Sequence, residues 1–337
     1  MKQILQILSS LIIIGSSSNV LVANSQIIKS TPKSNANLIS INSQENLEDQ
    51  DLILSNLSKD GGIVGYEASQ VEIDKFSNLV PYYQFFTKLW GDKSIGYTTG
   101  PKNHQGLCEY VSLSTLLLYN ELFISSGFFT DEEFATYFEN NQQVSNNQIA
   151  MPEHKYYEYN QPENSLVRKL WKKNKSAKDI KTGKTLARAY KNWLSNKSIS
   201  SKIKYHYSSS FMHSSSPEDL LLKYNMPVLV SFVKPAPHNV LIYGYDTTTK
   251  SYLVNYGWGG YSPIIIKKSI IWSYWSMGFW NAFYLDPANA QPLKRHFLYK
   301  NQFYSWKELE QKGLSFKSVP GLYDKYTFLK KNPKPRD

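Results

Sequence analysis

Residues 108–123 (Cys-Glu-Tyr-Val-Ser-Leu-Ser-Thr-Leu-Leu-Leu-Tyr-Asn-Glu-Leu-Phe) contain neither glycine nor proline and are apolar nearly all round. A helix with this pattern has no solvent face, so it must run through a domain interior with other elements packed about it. A chain of 337 residues is long enough to bury it, and 25 Tyr, 16 Phe and 8 Trp exclude wholesale disorder. Gly127 closes the helix, and Thr130-Asp131-Glu132-Glu133 opens a second one with a capping signature. Two basic amphipathic segments follow, over about 163–175 and 184–196, with Gly183 between them.

The texture then changes from helix to strand. Ser216-Pro217-Glu218-Asp219 caps a short helix through Tyr224. Beyond it come Pro227–Phe232, His238–Asp246, Ser251–Tyr256 and Ala282–Leu285, apolar runs joined by tight connections. Successive strands with short turns predict an antiparallel sheet. Helices first and sheet afterwards indicate an α+β protein with two lobes.

The N-terminus reads as an export signal over residues 1–23: Lys2, an apolar run from Ile4 to Ile14, then small residues ending at Ala23. The run is short and broken by serine, which favours a cleaved signal over an uncleaved anchor. Residues 24–75 read as a flexible leader, either a propeptide that shields a site or a plain spacer. Residues 76–337 are then the folded domain. Its helical lobe is expected over about 76–204, its sheet lobe over about 205–290, and a C-terminal extension over 291–337. The expected location is secreted or on the cell surface.

Charge divides the chain. Residues 1–75 carry five Lys against eight Asp and Glu, a net −3, which leaves +14 on the remainder of a +11 chain. Between Ser165 and Lys204 thirteen Lys and Arg face Asp179 alone. Such a surface attracts anionic membranes or acidic proteins, or is simply a solvated cationic helix pair. No aromatic-interleaved pattern for specific nucleic-acid recognition accompanies it.

Cys108 is the only cysteine, so an intramolecular disulfide is excluded. An inert buried thiol, intermolecular pairing and a reactive site remain. Its position favours reactivity, because a helix N-terminus presents unpaired N–H groups and the positive end of the helix dipole, both of which favour thiolate. His238 and Asn255 follow 130 and 147 residues later. His238 opens a strand after Pro235-Ala236-Pro237, which predicts its ring at a sheet edge rather than in the mid-core. An imidazole can take the thiol proton and return it to a leaving nitrogen, and an amide side chain can orient the ring.

The strings Pro227–Val230, His238–Tyr245 and Leu253-Val254-Asn255-Tyr256-Gly257-Trp258-Gly259-Gly260 resemble the core of papain-like cysteine peptidases. They are most similar to the streptopain-like branch of bacterial secreted enzymes. The resemblance covers about 98–125 and 217–286 and implies a two-lobe papain-like fold. It implies Cys108 as nucleophile, His238 as general base and acid, Asn255 as orienting residue and Trp258 as its shield. These families place an oxyanion-hole glutamine six residues before the cysteine, where this chain has Lys102; Gln105, three before, is chosen on residue type.

The expected function is therefore a secreted bacterial cysteine endopeptidase that cleaves protein or peptide amide bonds, acidic or host proteins among them, through a thioester acyl-enzyme. A catalytically weak binding protein of the same fold is one alternative, and a cysteine amidase or transamidase is another. No cofactor or metal is expected, because the six histidines are dispersed and no Cys-x-x-Cys or His-x-x-x-His pair exists. Oligomeric state is not legible.

Overall fold

The computed structural model describes residues 65–87, 108–139, 153–154, 165–174, 184–209, 216–232, 238–257, 263–269, 279–294, 297–300 and 302–314. The expected signal 1–23 and most of the leader lie outside them. The helical elements are α1 (Gln70–Lys75), α2 (Gln84–Thr87), α3 (Cys108–Tyr119), α4 (Asp131–Tyr137), α5 (Leu166–Lys173), α6 (Lys184–Leu194), α7 (Pro217–Tyr224) and α8 (Trp306–Gln311). The strands of the main sheet are β1 (Tyr66–Glu67), β2 (Asn78–Leu79), β5 (Ile203–Ser209), β6 (Val228–Phe232), β7 (His238–Asp246), β8 (Ser251–Asn255), β9 (Ile264–Lys267) and β10 (Phe279–Leu285). Two small ribbons pair β3 (Phe138–Glu139) with β4 (Glu153–His154) and β11 (Phe297–Tyr299) with β12 (Gln302–Tyr304).

All twelve residues of α3 are buried, as its apolar circumference requires. Two of its hydroxyls bond back into the helix: Ser114 donates to the Tyr110 carbonyl at 2.6 Å and Thr115 to that of Val111 at 3.0 Å. The helix changes to a π turn at Asn120–Ile124. There the buried Glu121 carboxylate accepts the N–H groups of Gly127, Phe128 and Phe129 at 3.0, 2.9 and 3.2 Å. The helix thus ends against a loop folded around one carboxylate. α4 follows with the expected capping box, in which Thr130 Oγ1 accepts from Glu133 N and the Glu133 carboxylate accepts from Thr130 N.

The main sheet runs β1-β9-β8-β7-β6-β10-β5, with β2 on β7, and every pairing is antiparallel. The described residues are thus α+β, helices packed against an antiparallel sheet. Strands β6, β7, β8 and β10 fall where the apolar runs predict. β5 and β9 were not anticipated: Ile203–Ser209 alternates Lys, His and Ser with Tyr, and Ile264–Lys267 lies close after a glycine cluster. β5 is an edge strand, where one polar face is tolerated.

Among the described residues, strand and helix are already present ahead of the boundary expected at residue 76. Tyr66 and Glu67 pair with Ile265 and Ile264, and Ser69 and Glu72 form a capping box that starts α1. Periodicity over so short a stretch is too weak to reveal this. Only the sheet edge at β9 makes the extended conformation favourable.

Candidate active site

The start of α3 packs against the start of the central strand β7. Ser112, one turn into α3, donates its hydroxyl to the Asn239 carbonyl at 3.0 Å. The Asn239 amide Nδ2 lies 3.5 Å from Cys108 Sγ. Asn239, the second residue of β7, is therefore held at two points to the N-terminal part of α3. The turn after β8 meets the same helix: Gly257 has φ +71°, and a Cβ added there would stand 2.8 Å from Val111 Cγ1. Glycine is required at that position both for the left-handed backbone and for the close approach.

Cys108 is 9 % exposed and opens α3 as expected. Burial pushes its thiol above the ordinary range, opposed by the Asn239 amide and the backbone N–H groups of Asn239, Glu109 and Cys108. The N-terminal N–H groups thus do favour thiolate, but desolvation outweighs them.

His238 starts a central strand, flanked by β6 and β8, and is buried. The expected sheet-edge placement is corrected: β7 is a central strand, His238 pairs with Phe232 on β6, and the residue is buried. Its Nε2 lies 2.8 Å from the Tyr256 carbonyl, and the two rings stack 5.5 Å apart at 19°. A carbonyl only accepts, so Nε2 carries the proton and Nδ1 carries the lone pair of the neutral ring. Burial lowers the imidazole to about 4, with the Tyr256 carbonyl pulling the other way. The ring is neutral near pH 7 and has a basic nitrogen.

Asn255 ends β8 and is buried. Its Nδ2 donates to the Phe86 carbonyl at 3.0 Å, and its Oδ1 accepts from Gly257 N at 2.8 Å. The amide therefore ties Gly257, just after Tyr256, and the Phe86 main chain to the end of β8, and it fixes the segment whose Tyr256 carbonyl holds His238. Gln105, Lys102 and Trp258 lie outside the described residues. Asn239 and Ser231 belong to the site but were not singled out from sequence. The Ser231 hydroxyl donates to Asn239 Oδ1, and both side chains are buried. The signal available was an asparagine beside His238, directly before the aliphatic run Val240-Leu241-Ile242.

The basic segment forms α5 and α6. Lys169, Lys172, Lys173, Lys184, Arg188 and Lys191 are exposed, while Arg168 is buried with its guanidinium over Trp171 at 4.2 Å. Among the described residues no group of three or more His, Cys, Asp and Glu side chains could hold a metal ion.

No family model matches the chain, and no curated protein matches it. Among solved structures, a fragment of prointerpain A from Prevotella intermedia aligns with 12 % identity and a TM-score of 0.31, covering 69 % of this chain and 80 % of that one. So loose an overlay carries no functional argument; the site is read from its own geometry.

Proposed function

We propose that the chain is a papain-like cysteine peptidase whose helical and sheet layers act as the two lobes. The observation that supports this most is the Asn239 amide on Cys108 Sγ, which brings the start of β7, with His238 next in the chain, against the only thiol. In this reading His238 Nδ1 takes the Cys108 proton as Sγ attacks the substrate carbonyl carbon. Burial raises the thiol and lowers the imidazole, so the resting pair is neutral. Proton transfer then accompanies attack rather than preceding it.

The Cys108 backbone N–H supplies one donor to the developing oxyanion, with Gln105 proposed as the second. The imidazolium returns its proton to the leaving nitrogen, and water then releases the acid from the thioester, restoring the thiol. Asn255 acts through the main chain, by fixing the segment that carries the Tyr256 carbonyl. Trp258 is proposed to keep water from it. Export through residues 1–23, shielding by a leader within 24–75 and attraction of acidic partners to α5 and α6 belong to the same proposal.

The test is cleavage of a mixed peptide library, with products resolved by mass spectrometry. Wild-type protein cleaves backbone amides, and Cys108→Ala and His238→Ala do not. Cleavage retained in Cys108→Ala overturns the mechanism; release of ammonia from side-chain amides without backbone cleavage assigns an amidase instead.

A further inference from the structure

The geometry points to Asn239 as the residue that positions Cys108 Sγ and favours its ionised form, with Ser231 setting which end of the Asn239 amide faces the sulfur. The inference rests on the peptidase reading only for its catalytic consequence. The contact itself stands on three fixed points. Asn239 is 1 % exposed, and its main chain is held by the hydroxyl of Ser112 on α3. Its Oδ1 is taken by the Ser231 hydroxyl on β6. In this arrangement Oδ1 accepts from the Ser231 hydroxyl while Nδ2 faces Sγ at 3.5 Å.

The direction of this amide matters chemically. An N–H donor aimed at sulfur gains strength when the thiol loses its proton, because a charged acceptor roughly doubles the hydrogen bond. The flipped amide would aim Oδ1 at Sγ, accept from the S–H and hold the proton in place. The Ser231 hydroxyl, donating to Oδ1, stabilises the direction that faces Nδ2 to the sulfur. It therefore acts on Cys108 through Asn239 without touching the sulfur itself. The remaining titratable neighbours are Glu109, next to Cys108 on α3, and His238, next to Asn239 on β7. Neither replaces a donor on the sulfur: a carboxylate accepts, and the His238 Nε2–H is directed to the Tyr256 carbonyl.

The experiment is the pH dependence of Cys108 alkylation by iodoacetamide in the full chain, whose single cysteine makes the readout unambiguous. Asn239→Ala is expected to slow alkylation at pH 7 by about ten- to a hundredfold and move the midpoint to higher pH. Ser231→Ala should shift it in the same direction by a smaller amount, and Ser231→Thr, which keeps the hydroxyl, should restore it. Near-UV circular dichroism and urea midpoints identify variants that fail to fold, and Ser231→Ala keeps the test open should Asn239→Ala be one.

Midpoints within about 0.2 of wild type in folded Asn239→Ala and Ser231→Ala overturn the inference. Peptide cleavage is measured in parallel. Shifted alkylation with no cleavage by wild type supports Asn239 and sinks the peptidase reading. Unshifted alkylation with cleavage lost in Cys108→Ala does the reverse.

Discussion

The His238 Nε2 lies 2.8 Å from the Tyr256 carbonyl oxygen, which assigns the ring proton to Nε2 and the basic lone pair to Nδ1. The group that orients the imidazole there is a piece of main chain, fixed in turn by the Asn255 side chain, which accepts from Gly257 N and donates to the Phe86 carbonyl. Asn255→Ala removes both fastenings. Two lost buried hydrogen bonds should cost about 2–4 kcal/mol of stability, read from urea melts, and lower kcat by more than the loss of folded protein explains.

A second prediction concerns pH. The folded His238 ring titrates near 4 and the unfolded one near 6.5. Between these values the unfolded chain binds the extra proton, so stability rises with pH. The contribution is fully present above about 6.5 and is lost as pH falls through 4, about 3 kcal/mol in all. Subtracting urea melts of His238→Gln from those of wild type over pH 3–8 isolates this slope from the carboxylates. A flat difference would contradict the buried neutral ring.

The Gly257 turn makes a third. Gly257→Ala places a methyl 2.8 Å from Val111 Cγ1 at φ +71°, which should destabilise by about 2–4 kcal/mol from overpacking and backbone strain together. Adding Val111→Ala removes the clash, so the double variant should be more stable than the sum of the two single costs implies. Strict additivity in thermal melts would show that the turn does not press on α3.

At the far end of the same helix, Glu121→Gln replaces a carboxylate that accepts three backbone N–H groups. The charge-assisted bonds weaken, and a loss of about 2–3 kcal/mol is expected. Hydrogen exchange at Gly127, Phe128 and Phe129 should rise selectively. Unchanged protection there would assign the stability of this loop to its packed aromatic rings instead.

These effects differ in how visible they are in the chain. Residues 108–123 declare a buried helix because no face of it is polar, and the strands at 228–232, 238–246 and 251–255 declare themselves by apolar runs between turn residues. β1 and β2 do not, being two residues each; they are extended only because β9 and β7 offer free backbone groups. Gly244 shows the same dependence. Its missing side chain matters because Leu79 Cδ2 would lie 2.7 Å from a Cβ there, a contact made across 165 residues of sequence.

The sequence by itself determined that Cys108 opens a buried helix, that His238 opens a strand, and that an asparagine followed by a glycine ends the next one. Those are local matters of periodicity and turn chemistry. Tertiary structure alone decided that His238 lies buried on a central strand, that its Nε2–H donates to the Tyr256 carbonyl, and that the Asn239 side chain, distant in the chain, supplies a donor to the Cys108 sulfur. Burial and hydrogen-bond partners depend on which distant segments pack together. The same desolvation that pushes the thiol up and the imidazole down therefore cannot be read from the residues that carry it.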